Sequence, residues 1–314
     1  MINIQKCAII GCGAVGATSA FSIVQSGMFS EMVLIDADSD KAQGEAMDLN
    51  HGLPFLQSMK IYAGDYSDLS DCYVIVITAG GAQRPNQTRL DLVKQNINIY
   101  KSIIPQIKAV NTECILLVVS NPVDILTYAA WKLSGFPKNK VIGSGTVLDS
   151  ARLKYLMGEH LNVDSRSVHA FIIGEHGDSE LVVWSSANVS GIDLNGFCNT
   201  VDGACERHDL EKIYNDVKNS AYEIIEKKGA TYYAIALATT KILEAIVKNQ
   251  HSVLPVSCYV DGFYGISDIF LGMPAILGRN GVEKELEIPL NIVEQQQLKS
   301  SAQKLRQVID ELEI

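Results

Sequence analysis

A short apolar run followed at once by closely spaced glycines is the feature that most constrains this chain. Residues 7–10 (CAII) precede GCGAVG at residues 11–16, and an amphipathic segment follows over Ala14–Ser26. Glycines permit a tight turn and a close main-chain approach to a ligand. The helix N-terminus then directs free N–H groups and its positive dipole end at an anion such as a pyrophosphate. The pattern predicts a strand, a glycine turn and a helix that bind a nucleotide.

The first half of the chain repeats this alternation of strand and helix. Further apolar runs lie at residues 32–35, 59–62, 73–78, 114–119 and 141–142, with amphipathic segments between them. Fully apolar strands separated by helices are typical of a parallel sheet with helices on both faces. We therefore predict an α/β fold with a Rossmann-type, doubly wound parallel sheet.

The pattern changes near residue 145. A helix over Val147–Leu161 precedes β-like runs at 169–173 and 181–188, and a long helical region is broken near Gly229. Strands are predicted near 258–264 and 275–278, before a C-terminal helix. This order is α+β, and we expect a nucleotide-binding domain over residues 1–145 and an α+β catalytic or substrate domain over residues 146–314.

Asp36 bears on the choice of nucleotide. It ends the run VLID, twenty residues after Gly16. Its carboxylate can accept hydrogen bonds from an adenosine ribose and would repel a 2′-phosphate, which favours NAD over NADP. The alternative is a simple glycine turn, with Asp36 as a helix cap before Asp40.

Composition narrows the classes of partner. The chain has 314 residues and a formal net charge of −10, and no basic patch offsets this acidity, so we expect no nucleic acid and no membrane as partners. No apolar segment has the length of a transmembrane helix and no targeting segment stands at the N-terminus, so we expect a cytoplasmic protein.

Seven scattered cysteines without CxxC spacing predict reduced, mainly structural thiols, and the absence of HExxH predicts no metal site.

Three polar residues in the second half could carry chemistry. His176 stands between glycines in GEHGD, directly after an apolar run, and Asp149 lies three residues before Arg152 on one face of the predicted helix. If His176 folds against that face, Asp149 would hold its imidazole and stabilise the protonated form, while Arg152 would bind a carboxylate in a bidentate manner. A structural histidine and a surface ion pair are the alternatives.

Motifs along the whole chain resemble those of the L-lactate/malate dehydrogenase family, most closely its bacterial L-lactate dehydrogenases. They are GCGAVG, AMDLNHG (46–52), TRLDLVKQN (88–96), SNPVD (120–124), GSGTVLDSARL (143–153), GEHGDSE (174–180), KGATYYAIA (228–236) and DGFYGISD (261–268). The set is far more specific than any one of its members.

The resemblance implies an L-lactate dehydrogenase that transfers hydride reversibly between NADH and pyruvate. His176 would be the proton donor and acceptor, with Asp149 as its orienting partner, and Arg152 would bind the substrate carboxylate. Arg89 would polarise the substrate carbonyl from a closing loop, and Asn121 would lie beside the nicotinamide and the reacting oxygen. In the same way, Thr231 would line the substrate pocket and Ile235 would contact the nicotinamide. The complete set of expected cofactor contacts is Gly11, Gly13, Ala14, Val15, Gly16, Asp36, Thr78, Ala79, Gly80, Asn121 and Ile235.

Substrate choice is expected to depend on Gln83. In the family the selecting residue lies six positions before the polarising arginine and two before the loop proline, and both counts lead from Arg89 and Pro85 to Gln83. Malate dehydrogenases carry arginine there, for the second carboxylate of oxaloacetate. A neutral amide suits the methyl group of pyruvate, because an arginine buried beside it would be unpaired. Arg84 is expected to face solvent.

Two positions depart from the family pattern. Some bacterial relatives are activated by fructose 1,6-bisphosphate, which an arginine and a histidine bind between subunits. Here His169 stands at the histidine position, but Lys154 replaces the arginine. A fructose 1,6-bisphosphate effector is therefore an open expectation, and the resemblance also implies a homotetramer, or in some cases a dimer. The other departure is Val182, where many relatives have proline.

Three rival hypotheses stay open at this stage. Malate dehydrogenase and an L-2-hydroxyacid dehydrogenase for bulkier substrates are the enzyme alternatives. A structural protein that retains the fold without catalysis is the third, and the joint presence of His176, Asp149, Arg152 and Arg89 argues against it.

Overall fold

The apolar runs of the first half form the centre of a nine-stranded sheet. The structure is a computed structural model that describes residues 1–81, 89–200 and 207–312. The strands of this half are β1 (Asn3–Ile10), β2 (Glu31–Ile35), β3 (Lys60–Ala63), β4 (Cys72–Ile77), β5 (Ile115–Val118) and β6 (Val141–Gly143). Between them lie α1 (Ala14–Ser26), α2 (Ser39–Gly52), α3 (Arg89–Val110) and α4 (Val123–Ser134).

The order of these strands is that of a doubly wound sheet. Strands β3, β2, β1, β4, β5 and β6 are neighbours in that order, and each adjacent pair is parallel. A strand order that reverses direction at β1 is the doubly wound arrangement, in which helices cover both faces of the sheet. All residues of β4 and β5 are buried, as expected for strands covered on both sides. The predicted Rossmann-type sheet is confirmed.

The second half contributes helices, short strands and three longer strands. Its elements are α5 (Val147–Leu161), β7 (Val168–His169), β8 (Ile172–Ile173), β9 (Leu181–Val182), β10 (Asn188–Val189), β11 (Ile192–Asp193), α6 (Leu194–Cys198), α7 (Arg207–Lys228), α8 (Tyr233–Val247), β12 (Ser252–Val260), β13 (Ile269–Gly278), β14 (Gly281–Glu285) and α9 (Ile292–Asp310). Strands β12, β13 and β14 extend the large sheet beyond β6 in antiparallel fashion. A separate small core forms around α5, α7 and the short strands β7 to β10.

Three sequence-based expectations for this half are wrong in detail. The runs at 169–173 and 181–188 are each two short strands, and a 3-10 helix over Trp184–Ser186 interrupts the second. Strand β14 was not predicted. The buried cysteines 7, 12, 72, 114 and 258 are free, but Cys198 is disulfide-bonded rather than reduced.

The helices carry no membrane-spanning signal. Among the described residues, none of them is both long enough and apolar enough to cross a bilayer.

The glycine turn after β1 is closely packed. Gly11 has φ +102°, a left-handed conformation that favours glycine, and a Cβ at Gly16 would lie 1.8 Å from the carbonyl oxygen of Gly11. Residue 16 must therefore be glycine if α1 is to begin this close to β1. Close packing of the helix against the strand is the role of the third glycine in a GxGxxG turn.

We predict that Gly16→Ala lowers the free energy of unfolding by about 1–3 kcal/mol, because the added methyl group meets main chain that cannot move away. It should also weaken NADH binding. Urea unfolding and a titration of NADH fluorescence would measure the two effects. Gly44→Ala is the control, since Gly44 lies in α2, no described atom outside the local helix backbone lies within 4 Å of an added Cβ, and alanine is the better helix former. A Gly16→Ala protein as stable as the wild type would contradict the close packing.

Candidate active site

The glycine turn is tied to the ends of two neighbouring strands. The Thr78 hydroxyl, just beyond β4, donates to the carbonyl oxygen of Gly11 at 2.6 Å. The Cys12 N–H donates to Oδ2 of Asp36, just beyond β2, at 2.6 Å. Asp38, not Asp36, caps α2 by accepting from the Lys41 N–H, so the helix-cap alternative for Asp36 is wrong.

The region fits the pyrophosphate and the adenosine ribose of NAD. Within the described residues, no side chain caps α1, which begins after Gly13, and no atom beyond its chain neighbours lies within 4 Å of where a Cβ on Gly13 would stand. The first N–H groups of α1 are thus available to a pyrophosphate, and the helix dipole favours its charge. The carboxylate of Asp36, half-buried beside the turn, can accept from ribose hydroxyls.

The next part of the same sheet edge is organised by Asn96 on α3. Its Oδ1 accepts from the Gly81 N–H at 2.8 Å, and its Nδ2 donates to the main-chain carbonyl of Asn121 at 2.8 Å. Asn96 is fully buried and so links the segments that follow β4 and β5. Ala79 and Gly80 lie on the first segment, and Asn121, whose side chain is exposed, begins the second with a cis peptide bond to Pro122.

His176, Asp149 and Arg152 are in direct contact. His176 Nδ1 lies 2.6 Å from Asp149 Oδ2, and Arg152 Nη1 donates to Asp149 Oδ1 at 2.9 Å. The Asp149 side chain is only 3% exposed, whereas that of His176 is 24% exposed. One buried carboxylate therefore orients both an imidazole that solvent can reach and a guanidinium.

This contact sets the charge states of the pair. Burial by itself lowers the pKa of His176, but the charge and hydrogen bond of Asp149, helped by the carboxyls of Asp124 and Glu180, outweigh it and raise that pKa to about 9. Burial acts to raise the pKa of Asp149, yet His176 and Arg152 together hold it below its usual range. At neutral pH the arrangement therefore holds a proton on His176 and a negative charge on Asp149.

Hydroxyl groups of α5 and of the segment before it hold β8 in place. Thr146 Oγ1 donates to the carbonyl oxygen of Ile172 at 2.6 Å, and the Ile172 N–H donates to Ser150 Oγ at 2.8 Å. Both hydroxyl residues are buried. Since Asp149 lies between them in sequence, the bonds that fix β8 also set the distance from Asp149 to the loop that carries His176.

The loop itself is anchored at three successive residues. Gly174 exchanges two main-chain hydrogen bonds with Gly272 on β13, at 2.9 and 3.0 Å. The Glu175 N–H donates to Ser301 Oγ on α9 at 2.8 Å, and the His176 N–H donates to Asp124 Oδ2 on α4 at 2.8 Å. Elements distant in sequence thus position the main chain around His176.

Two acids near His176 were not singled out from the sequence. Asp124 is 2% exposed, and its Oδ1 accepts from the Ser257 hydroxyl at 2.6 Å. Burial raises the pKa of Asp124 to about 6, although the bonds from Ser257 and His176 oppose that rise. Glu180 is 5% exposed, and one of its carboxylate oxygens lies within 4.8 Å of a nitrogen of His176. Asp124 stands in SNPVD and Glu180 stands in GEHGDSE, so both acids lie in motifs already noted in the sequence.

Other expected site residues lie at separate places. Thr231 is half-buried between α7 and α8, and Ile235 lies in the first turn of α8 against the main core. Lys154 is half-buried on α5, whereas His169 is exposed on β7. Val182 is buried on β9, opposite Ile172.

The predicted substrate loop falls largely outside the residues that the structure describes. Gln83, Arg84 and Pro85 lie outside the described residues. Helix α3 begins at Arg89, but the side chain of Arg89 also lies outside the described part.

Comparison with known proteins covers the whole chain. Residues 5–143 match the family model of the lactate/malate dehydrogenase NAD binding domain, and residues 146–313 match that of the lactate/malate dehydrogenase alpha/beta C-terminal domain. An L-lactate dehydrogenase of Acetivibrio thermocellus is 53% identical over 311 residues, which are 99% of this chain and 98% of that protein. L-lactate dehydrogenase 1 of Clostridium acetobutylicum is 50% identical over 307 residues, 98% of each chain.

Solved structures agree with the sequence matches. A lactate dehydrogenase from a Medee basin deep-sea metagenome library has a TM-score of 0.95 at 46% identity, and the match covers 99% of both chains. The minor L-lactate dehydrogenase of Enterococcus mundtii, in a ligand-bound form, has a TM-score of 0.96 at 41% identity with the same coverage. With family models over both halves and full-length relatives at half identity, the chain belongs to the lactate/malate dehydrogenase family.

Proposed function

We propose that the protein is an NAD-dependent L-lactate dehydrogenase that interconverts pyruvate and L-lactate in glycolysis and fermentation. The observation that carries the proposal is the contact of His176 and Arg152 with one buried carboxylate, that of Asp149, in a chain whose full-length relatives are named L-lactate dehydrogenases. We place this enzyme in the cytoplasm, where glycolysis supplies pyruvate and NADH. The unit that binds NAD would be residues 1–145, and residues 146–314 would form the catalytic unit.

His176 and Arg152 have separate roles in this proposal. With Nδ1 engaged by Asp149, His176 donates its proton to the keto oxygen of pyruvate from Nε2 and takes one back in lactate oxidation. A guanidinium has five N–H donors, so the contact of Arg152 with Asp149 leaves donors for the substrate carboxylate. NADH, when bound, supplies the hydride for the carbonyl carbon.

The remaining proposed residues act around the reacting carbonyl. Arg89 would stabilise the charge that grows on the oxygen in the transition state, and closing its loop would exclude water. Asn121 would donate a hydrogen bond near the same oxygen, Thr231 would line the substrate pocket, and Ile235 would pack on the nicotinamide. Gln83 would meet the methyl group of pyruvate.

A substrate panel tests the proposal and the role of Gln83. We predict NADH oxidation with pyruvate at a kcat/KM at least about tenfold above that with oxaloacetate, since a second carboxylate would be buried without a cation, at a cost above about 1.4 kcal/mol. In Gln83→Arg the preference should reverse, and Arg84→Gln is the matched control that keeps it. No NADH oxidation at any pH would refute the enzyme assignment. A preference of the wild type for oxaloacetate would instead indicate malate dehydrogenase, with Arg84 directed inward.

The raised pKa of His176 predicts the pH dependence. Pyruvate reduction needs the protonated imidazole, so kcat/KM should stay high below the pKa and fall as the pH rises through about 9. Lactate oxidation needs the neutral form and should rise over the same range.

Asp149→Asn removes the main source of this shift. We expect kcat to fall by about 10²-fold or more, and the alkaline midpoint of pyruvate reduction to move toward the ordinary histidine value of about 6.5. Steady-state rates across pH would measure both. Glu159→Gln, an exposed change at the other end of α5, is the control. An unchanged midpoint in Asp149→Asn would argue that His176 is not the titrating group.

Assembly and regulation complete the proposal. We propose a homotetramer, supported by exposed apolar side chains on three helices, namely Phe21, Met47, Tyr233 and Leu237. We also propose Lys154 and His169 as the contacts of a fructose 1,6-bisphosphate effector; burial lowers the pKa of Lys154.

Gel filtration and effector assays test these two points. We expect elution at four times the mass of one chain, and a lower KM for pyruvate with fructose 1,6-bisphosphate that Lys154→Ala abolishes. Elution as a dimer would contradict the tetramer. A KM and a cooperativity that the sugar bisphosphate does not change would remove the effector.

A further inference from the structure

Glu180 is a buried acid whose position has no structural explanation. It lies four residues after His176, directly before β9, and is 5% exposed. Within the part of the chain that the structure describes, its Oε1 accepts no hydrogen bond. A buried carboxylate oxygen without a donor costs free energy, and a native protein that keeps one often gains function from it.

The surroundings of this carboxyl are those of the active site. Single donor atoms of Glu180, Asp149 and His176 all lie within 4.8 Å of one another. At this range and out of bulk water, an ionised Glu180 is attracted to a protonated His176 and repelled by Asp149. The charge of Glu180 thus interacts with the proton on His176, although Glu180 is not a partner in the hydrogen bond between His176 and Asp149.

Among the side chains that the structure describes, the cations on neighbouring elements form their hydrogen bonds with groups other than the carboxyl of Glu180. Lys218 on α7 donates to the main-chain carbonyl of Asp178 at 2.7 Å, and the Tyr214 hydroxyl donates to the main-chain carbonyl of Glu180, not to its carboxyl. Arg152 on α5 is bonded to Asp149. Within the described part of the chain, the titratable and charged groups around the pair are Asp149 and Arg152 on α5, Tyr214 and Lys218 on α7, Asp124 on α4, and Glu175 and His176 on the loop.

The directions of both pKa shifts support a role at alkaline pH. Burial, and then repulsion from Asp149, raise the pKa of Glu180 to about 8 against the opposing effects of His176, Lys218 and Arg152. The pKa of His176 is about 9. The negative charge of Glu180 is one of the causes that raise the pKa of His176, so an ionised Glu180 favours the protonated imidazole.

We propose that Glu180 is a positioning residue for proton transfer, which acts through His176 by holding the catalytic proton on the imidazole at mildly alkaline pH. The inference deepens the proposed L-lactate dehydrogenase function and rests on it. Protonated Glu180 is neutral and adds little at acidic pH. Because burial raises its pKa, the charge of Glu180 develops at higher pH than that of an ordinary glutamate.

The same three donor atoms could in principle hold a metal ion, but the charges favour the imidazolium. Arg152 Nη1 lies 2.9 Å from Asp149 Oδ1, and its positive charge would repel a metal cation. The imidazolium is itself the cation that the two acids surround.

The first experiment compares pH profiles of kcat/KM for pyruvate with saturating NADH. In Glu180→Gln, which keeps the volume and removes the charge, we expect the alkaline midpoint to fall by about one pH unit, a roughly tenfold loss of proton affinity. The deficit relative to wild type should therefore grow with pH. Glu180→Asp should restore part of the shift, and Glu226→Gln, an exposed change on α7, should leave the midpoint in place. Equal midpoints for wild type and Glu180→Gln would overturn the proposal.

The second experiment needs no turnover. Diethylpyrocarbonate reacts with neutral imidazole, and the side chain of His176 is exposed enough to be reached. The rate at which the peptide carrying His176 gains mass, followed across pH, should give a midpoint well above about 6.5 in wild type and a lower one in Glu180→Gln. If Glu180→Gln does not fold, a wild-type midpoint at or below the ordinary histidine value overturns the proposal. A wild type that fails to reduce pyruvate but shows the raised midpoint and its shift would refute the proposed function and leave the coupling of Glu180 to His176 intact.

Discussion

The hydrogen bonds between the main chain of β8 and two buried hydroxyl side chains are the constraint on which the site depends. Thr146 and Ser150 bind both main-chain groups of Ile172, and Asp149 lies between them in sequence. The separation of Asp149 from His176 is therefore set by main-chain geometry rather than by two mobile side chains. Preorganisation of this kind means that little rearrangement is needed when a proton moves.

The charges of the site are likewise arranged around one residue, His176. Three acids, Asp149, Asp124 and Glu180, act on one imidazole, and each differs in how it is held. Asp149 bonds the ring, Asp124 bonds the main chain of the same residue, and Glu180 acts through space. Because burial raises the pKa of Asp124 and Glu180 while that of Asp149 is lowered, the three ionise at different pH values and the net charge around His176 changes in steps.

Much of this could be predicted from the sequence, and the failures have physical causes. Alternating apolar runs predicted the parallel sheet because strands covered on both faces must be apolar throughout, as β4 is. Strand β14 (GVEKE) was missed because an edge strand needs only its main chain to pair and has no such pattern. The run at 181–188 was interrupted because Ser185 donates from both its N–H and its hydroxyl to Glu294 on α9, a contact that local sequence does not reveal. Asp124 and Glu180 were missed for the same reason, since burial of an acid depends on elements far away in the chain.

The antiparallel strands of the second half join the two halves of the chain in one sheet. The family models divide the sequence between residues 143 and 146, yet β12 lies against β6, so the border in sequence runs through the middle of one continuous sheet. All three residues of β6 are buried. A fragment that ended near residue 145 would expose β6 as an apolar edge with unpaired main-chain groups, which is a template for aggregation. The two halves therefore share one continuous sheet and cannot be separated without exposing a buried strand.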